Sequence, residues 1–402
     1  LLPEANLTRV TLLDLRGNNL YGIPATFAGL TNLTSLDLGE NDLTRIPIWV
    51  GTLTKLKTLG IDGNELESPP ASIIEEGVEG VMNFLSRVFY AYATGTLDLE
   101  NRALSELPVE LLTGTGQYGL DPPGALISHL RTLNLNTNAF EQLEAEIADL
   151  TALTDLRVSQ NELKELPPSV CTLPLLQVLH VEENNLETLP VDLGKLTLLR
   201  VLMLAVNKLT FLPETIGVMC ALEELVLDYN AINYLPVSLS GLSSIAMLSL
   251  QHNDLEVIAN VQFNNFVKCR ELNLAENKLR RVPEDIEYMT SLTRLQLHSN
   301  FFKGLPSGLR EEESEEHAGW PIFRGGVGQL TSLTELTLHT NEIEKLPVDL
   351  GLITCLKTMP LEANPDLTSP PPEVVVRKHR IIMEYLRQIC LCVKTGTRNP
   401  TP

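Results

Sequence analysis

Three groups of residues in this 402-residue chain have types and spacings that bear on chemistry. Gly114, Gly116 and Gly119 match the G-x-G-x-x-G pattern of a dinucleotide-binding turn. That chemistry requires the glycines to leave a strand and open a helix, whose N-terminus then meets the phosphate. Here Asp121-Pro122-Pro123-Gly124 follows, so the stretch is read as a surface loop. His298 and His339 hold the same position in neighbouring repeats, where strands about 4.8 Å apart let two rings touch. Such a pair suits a metal or a pH switch, but no third ligand fits unless His252 reaches, so it is read as a solvated pair. Cys390 and Cys392 are too close for a C-x-x-C redox pair. No H-E-x-x-H, phosphate-binding Gly-Lys loop or nucleophile elbow occurs. The chain is therefore read as not an enzyme, with no catalytic residue, cofactor or metal ligand assigned.

What positions these residues is a repeat. Leu179, Val181 and Asn184 recur as Leu202, Leu204 and Asn207, as Leu225, Leu227 and Asn230, and as Leu248, Leu250 and Asn253. The step is 23 residues, then 24 to Asn277. A fixed period of this size marks a solenoid, and the Leu-x-Leu-x-x-Asn spacing marks a leucine-rich repeat. The Asn-type positions are 18, 41, 64, 102, 138, 161, 184, 207, 230, 253, 277, 300, 341 and 364. All carry Asn except Arg102, which marks its repeat as the irregular one. A buried amide can both donate and accept, and so can satisfy the backbone exposed by a sharp turn. The fold class expected is an α/β solenoid, a horseshoe of about 14 repeats with short parallel strands on the concave face. Leu-Pro pairs such as Leu166-Pro167 and Leu212-Pro213 predict thin 3-10 or helical turns on the convex face.

Three intervals break the rhythm: 38 residues from 64 to 102, 36 from 102 to 138 and 41 from 300 to 341. The first has a twin. Ser68-Pro69-Pro70 precedes Val81-Met82-Asn83-Phe84-Leu85, as Ser369-Pro370-Pro371 precedes Ile382-Met383-Glu384-Tyr385-Leu386, at an offset of 301. Apolar residues at helical spacing follow each proline pair. The second copy predicts a C-terminal capping helix over 370–392, and the first a cap-like helix over 69–89 in the middle of the chain. The domain plan is thus a three-repeat unit over 1–90, a main array of eleven repeats over 91–369, the cap over 370–392 and a tail over 393–402, with a bend expected near 86–96. Inserts are expected at 113–125, a surface loop, and at 308–326. The latter carries the acidic run Glu311–Glu316, read as solvated, and Trp320-Pro-Ile-Phe323, read as folding back on the outer face.

A net charge of −21 argues against a nucleic-acid partner, whose phosphates need a basic face, and is compatible with a basic protein surface. No apolar run is long enough to span a membrane, so no membrane insertion is expected. The first 170 residues lack cysteine and four of the six cysteines stand singly, which favours a reducing, cytoplasmic setting. The Asn-x-Thr sequons at Asn6 and Asn32 point the other way. The chain begins Leu-Leu without Met and is read as a piece of a longer protein.

Partner binding on such a scaffold is read from the solvent-facing strand positions. In repeats seven to ten these hold Val178, Val201, Met203, Ala205, Val206, Val226, Tyr229 and Met247. Arg157, His180, Glu182, Glu183, Glu224 and Asp228 rim them. Earlier repeats hold Asp14, Arg16, Asp37, Asp62, Asp98, Asn134, Asn136 and Ser159 at such places. An apolar centre with a charged rim is how an interface is built; the plain alternative is that Val and Met simply form good strands.

The Leu-x-Leu-x-x-Asn-x-Leu-x-x-Leu-Pro repeats resemble intracellular leucine-rich repeat proteins of the Ras-associated group, including the plant members, over about residues 7–390. Asn364-Pro365, Ser369-Pro-Pro-Pro-Glu-Val-Val and Ile382-Met-Glu-Tyr-Leu-Arg387 are similar to the segment closing those repeats, and to the one before the GTPase module of Roco-type kinases. The internal cap-like helix and the acidic insert depart from that pattern, and no GTPase sequence is present. The resemblance implies a non-enzymatic scaffold in intracellular signalling or complex assembly, with a small GTPase among its partners. Two alternatives stay open: a structural subunit of a cytoskeletal or ciliary assembly, and the regulatory repeat region of a larger GTPase or kinase.

Overall fold

The computed structural model describes residues 9–108, 111, 129–307, 309–311, 321–323, 326–377 and 379–395. The chain divides into two compact units, Leu1–Asn185 and Leu186–Pro402. Both are leucine-rich solenoid: each coil is a three-residue strand, an Asn turn, a descending segment and an outer turn.

In the first unit β1 (Leu12–Asp14), β2 (Ser35–Asp37) and β3 (Thr58–Gly60) pair in parallel. After a helical interruption, β4 (Thr96–Asp98), β5 (Thr132–Asn134), β6 (Asp155–Arg157) and β7 (Val178–His180) pair likewise. In the second unit β8 (Val201–Met203), β9 (Glu224–Val226), β10 (Met247–Ser249), β11 (Glu271–Asn273) and β12 (Arg294–Gln296) are followed in the sheet by β15 (Glu335–Thr337). The long interval before β15 contributes β13 (Leu309–Glu311) and β14 (Pro321–Phe323), an antiparallel pair apart from that sheet. Leucines at alternate positions enter the core. Leu202, Leu204, Leu225 and Leu227 are fully buried, while Val201, Met203 and Val226 between them are half-buried on the outer side of the strands.

The outer layer is 3-10 turns, such as Pro168–Thr172, Glu214–Val218 and Val237–Gly241, each preceded by the proline of a Leu-Pro pair. Proline sets φ and removes a donor at the turn's entry, where no donor is needed.

The Asn ladder works as its chemistry predicts. Asn184 Nδ2 donates to Val158 O at 2.9 Å in the preceding coil, and to Val181 O and Glu182 O, each at 3.2 Å, in its own. Its Oδ1 accepts from the Leu163 N–H at 3.0 Å. Asn253, Asn277 and Asn300 repeat this set in the second unit. The residue before each Asn takes a left-handed φ, from 53° at Glu183 and 55° at Tyr229 to 56° at Val206. For Val206 this is a strained conformation, because a β-branched side chain crowds the backbone there.

Two helices, α1 (Ala71–Glu75) and α2 (Gly77–Thr94), interrupt the first unit; α3 (Pro372–Val375) and α4 (His379–Thr395) close the second. The internal helix thus runs five residues beyond the 69–89 expected from the proline twin. It is split by Gly77 at φ 79° and ended by Gly95 at φ 69°. Each long helix packs on a 3-10 turn through a glycine: a Cβ at Gly51 would strike the Ser86 backbone, and one at Gly351 the Arg387 backbone. α2 also takes the place of a strand beside β4. Arg87 donates to Asp98 O at 2.6 Å, and the Thr94 hydroxyl to Thr96 O at 3.3 Å. Arg102, in place of the ladder Asn, reaches sideways to Glu76 and Asn83, each at 2.8 Å. An amide would be too short to bridge from that coil to the helices; a guanidinium spans the gap.

The Gly114–Gly119 motif, the loop over 113–125, residues 312–320 of the acidic insert with Trp320, and Asn6 lie outside the described residues.

Candidate functional site

The strand-face residues singled out from the sequence fall in both units. In the first, Arg157 on β6 and Val178 and His180 on β7 are half-buried and face the same side. Arg157 folds onto Asp155 in its own strand, at 2.9 Å. His180 Nδ1 stands 3.3 Å from Glu182, which also accepts from the Ser159 hydroxyl. Burial pushes the Glu182 carboxyl up, but the hydrogen bonds from His180 and Ser159 outweigh it and hold the group below its usual range. This part of the rim is a set of satisfied polar groups.

In the second unit, Met203 on β8 lies in register beside Val226 on β9. The next residue in that row is Ser249, whose hydroxyl donates to Asp228 at 2.6 Å. Val201 and Met247 share another row, with Glu224 between them. The apolar centre is therefore one adjacent pair plus two flanking residues divided by a carboxylate. At the end of the strands Val206 and Tyr229 are each 47% exposed, and the Tyr229 ring stacks on His252 with centroids 4.8 Å apart. His252 in turn meets Glu276 at 3.0 Å.

Asp228 is tied inward as well, because its Oδ1 also accepts from the Gln251 N–H at 2.8 Å. Burial dominates here and raises its pKa, against the opposing effect of those two hydrogen bonds.

His298 and His339 stack as the shared position predicts, with centroids 4.4 Å apart and planes 12° from parallel. Nδ1 of His298 contacts the Thr337 hydroxyl at 2.9 Å. Burial, helped by His339, lowers the His298 pKa. His252 belongs to the Tyr229 stack and does not join them. Among the described residues no group of three or more His, Cys, Asp or Glu side chains is placed to hold a metal ion. All six cysteines are free thiols, and burial pushes Cys269 up to about 12, which makes it a poor nucleophile. No described helix is long and apolar enough to cross a membrane.

Comparison with known proteins matches a leucine-rich repeat region profile over residues 97–205 and a leucine rich repeat profile over 8–66, 197–255 and 248–302. The chain is a leucine-rich repeat protein. Comparison with curated proteins finds no match. Among solved structures, the leucine-rich repeat protein is similar to one from Leptospira interrogans, with 24% identity, 90% of each chain covered and a TM-score of 0.59. It is similar to an internalin from Listeria monocytogenes at 22% identity, covering 89% of this chain and 88% of that one, with a TM-score of 0.52. The ectodomain of the Arabidopsis thaliana receptor kinase GASSHO1/SCHENGEN3, solved in complex with CASPARIAN STRIP INTEGRITY FACTOR 2, matches at 23% identity and a TM-score of 0.53; 88% of this chain covers 38% of it. These likenesses establish the fold. Leucine-rich repeat proteins as a class bind other proteins.

Proposed function

We propose that this leucine-rich repeat protein is a non-enzymatic scaffold that holds a protein partner on the strand face of its repeats. The observation that carries this is in the second unit: Met203 beside Val226, with Val206 and Tyr229 exposed at the strand ends. Solvated strand positions are usually polar, and a row of Met, Val and Tyr leaves apolar area that a partner would cover. The third solved structure above is a leucine-rich ectodomain with a bound factor, which accords with this use of the scaffold.

The finer reading rests on the sequence. Similarity of the closing segment to the Ras-associated group supports a small GTPase, or another protein with a basic surface, as partner and signalling or complex assembly as setting. Six free thiols favour a cytoplasmic location. The division into a three-repeat unit over 1–90 and a main array over 91–369 is part of this proposal; the separate pairing of β1–β3 and the helix after it support it.

Affinity purification of the chain, with mass spectrometry of what co-elutes, tests the proposal when repeated with Met203→Asp and Tyr229→Ala. The expected result is loss of the retained partner from both variants, with unchanged melting temperatures. Retention by both sinks the strand-face site and favours a structural subunit that makes its contacts through turns and inserts.

A further inference from the structure

The second unit has a groove that the repeat pattern does not predict. It lies away from the strands, along the descending segments of the coils that follow Asn253, Asn277 and Asn300, and has a volume of about 960 Å³. Its first wall is Glu256–Ala259. There the coil is 24 residues long instead of 23, and Ala259 stands where most coils have the proline of Leu-Pro. The added residue widens the segment, and the missing ring removes the part that would fill it. The opposite wall is Phe301 to Pro306.

The chemistry of the groove is unlike that of the chain. The protein carries 51 acidic and 30 basic side chains, yet Arg280, Arg281 and Lys303 line this groove against the carboxylates of Glu256 and Glu284. Neither arginine has a carboxylate partner among the described residues. The Arg280 guanidinium sits 5.8 Å from the centroid of the Phe301 ring, and Lys303 has only a 4.0 Å approach to Glu344. Phe301 and Val257 remain 42% and 61% exposed. Two uncommitted guanidinium forks beside exposed apolar side chains make a surface that recognises carboxylates and an apolar side chain together. An exposed fork with no internal carboxylate loses little on engaging an external one, and the aromatic ring supplies area that is costly to leave wet.

We propose that this groove binds an acidic peptide segment of a partner protein. Its carboxylates pair with Arg280, Arg281 and Lys303, and one apolar side chain between them packs on Phe301 and Val257. This site is separate from the strand-face proposal and does not depend on it, since it shares no residue with that face.

The test is fluorescence polarisation with the full chain and a labelled decapeptide alternating Glu with Phe and Leu, beside a counterpart with Lys in place of Glu. The acidic peptide is expected to bind saturably and its counterpart not. The double variant Arg280→Glu, Arg281→Glu should bind at least about 10-fold more weakly, and Lys303→Glu about 3-fold more weakly, as losing charge-assisted hydrogen bonds implies. All these residues are on the surface, so melting temperatures should hold, and Met203→Asp should bind the peptide as the parent does. Three outcomes overturn the proposal: absence of saturable binding up to about 1 mM, a weakness at which specific recognition has no useful free energy; equal binding of the Lys peptide; or unchanged binding by the double variant. A gain in affinity when Glu312, Glu313, Glu315 and Glu316 are replaced by Gln would assign the groove to the chain's own acidic run, and would also overturn it.

Discussion

Replacing Asn277 by Ala removes a side chain that serves two coils. Its Nδ2 donates to Leu250 O at 2.8 Å, to Leu274 O at 3.2 Å and to Ala275 O at 3.0 Å. Its Oδ1 accepts from the Leu255 N–H at 3.1 Å. The residue is only 6% exposed, so water cannot simply take over. An orphaned buried N–H costs about 1–3 kcal/mol, and each net hydrogen bond lost costs about 1 kcal/mol more. With one donor orphaned and two amide hydrogens removed, the variant should lose about 3–5 kcal/mol. For a cooperative unit of this size about 1 kcal/mol lowers the melting temperature by 2–4 °C, so a fall of about 6–20 °C is expected. Asn277→Asp keeps the acceptor for Leu255 but points a carboxylate at three carbonyls, and should be at least as destabilising. Because repeats are stabilised by their neighbours, the loss should be local first. Native-state hydrogen exchange should show the Leu255 amide losing protection before those of β8. A melting temperature within about 2 °C of the parent, or an Asp variant as stable as the parent, would refute the bridging role of the amide.

Other consequences follow from single observations. Val206 holds φ 56°, so Val206→Asn or Val206→Gly should raise stability by about 1 kcal/mol in urea denaturation, while weakening any partner held by the strand face. Gly351→Ala places a methyl group against the Arg387 backbone and should cost about 1–3 kcal/mol, seen as early loss of α4 protection in hydrogen exchange. Asp228 has a raised pKa in the folded chain, so its contribution to stability is fully present below the unfolded carboxylate pKa and is lost as pH rises through the folded value. Asp228→Asn keeps an acceptor for Ser249 and Gln251 and should abolish that loss. Urea midpoints from pH 3 to pH 7 should converge at the acid end and favour the Asn variant at the neutral end; a difference of the opposite sign would contradict the burial argument.

Repeat, strand spacing, Asn ladder, thin outer turns and closing helix were legible in the residues because all are local or periodic. Leu179 and Leu202 must point inward whatever lies beyond their neighbours, and the turn at Asn184 needs its amide wherever the coil sits. Even the stacked His298 and His339 followed from one shared position. The helix at Gly77–Thr94 was foreseen, but its end was not, since Gly95 stops it by a backbone conformation rather than by a change in apolar pattern.

The sequence by itself determined that the coils must stack, because no single coil can bury its own leucines. Only the tertiary structure decided which polar groups are spent inside the stack and which remain free. Arg157, Glu182 and Asp228 look like a charged rim in one dimension, yet each is held by a neighbour in its own or the next strand. Arg280 and Arg281 look like ordinary solvated charges, yet they line a groove without carboxylate partners among the described residues. The reason is physical: whether a charge is satisfied depends on distances of a few ångströms between residues about 23 positions apart, and spacing alone does not set them.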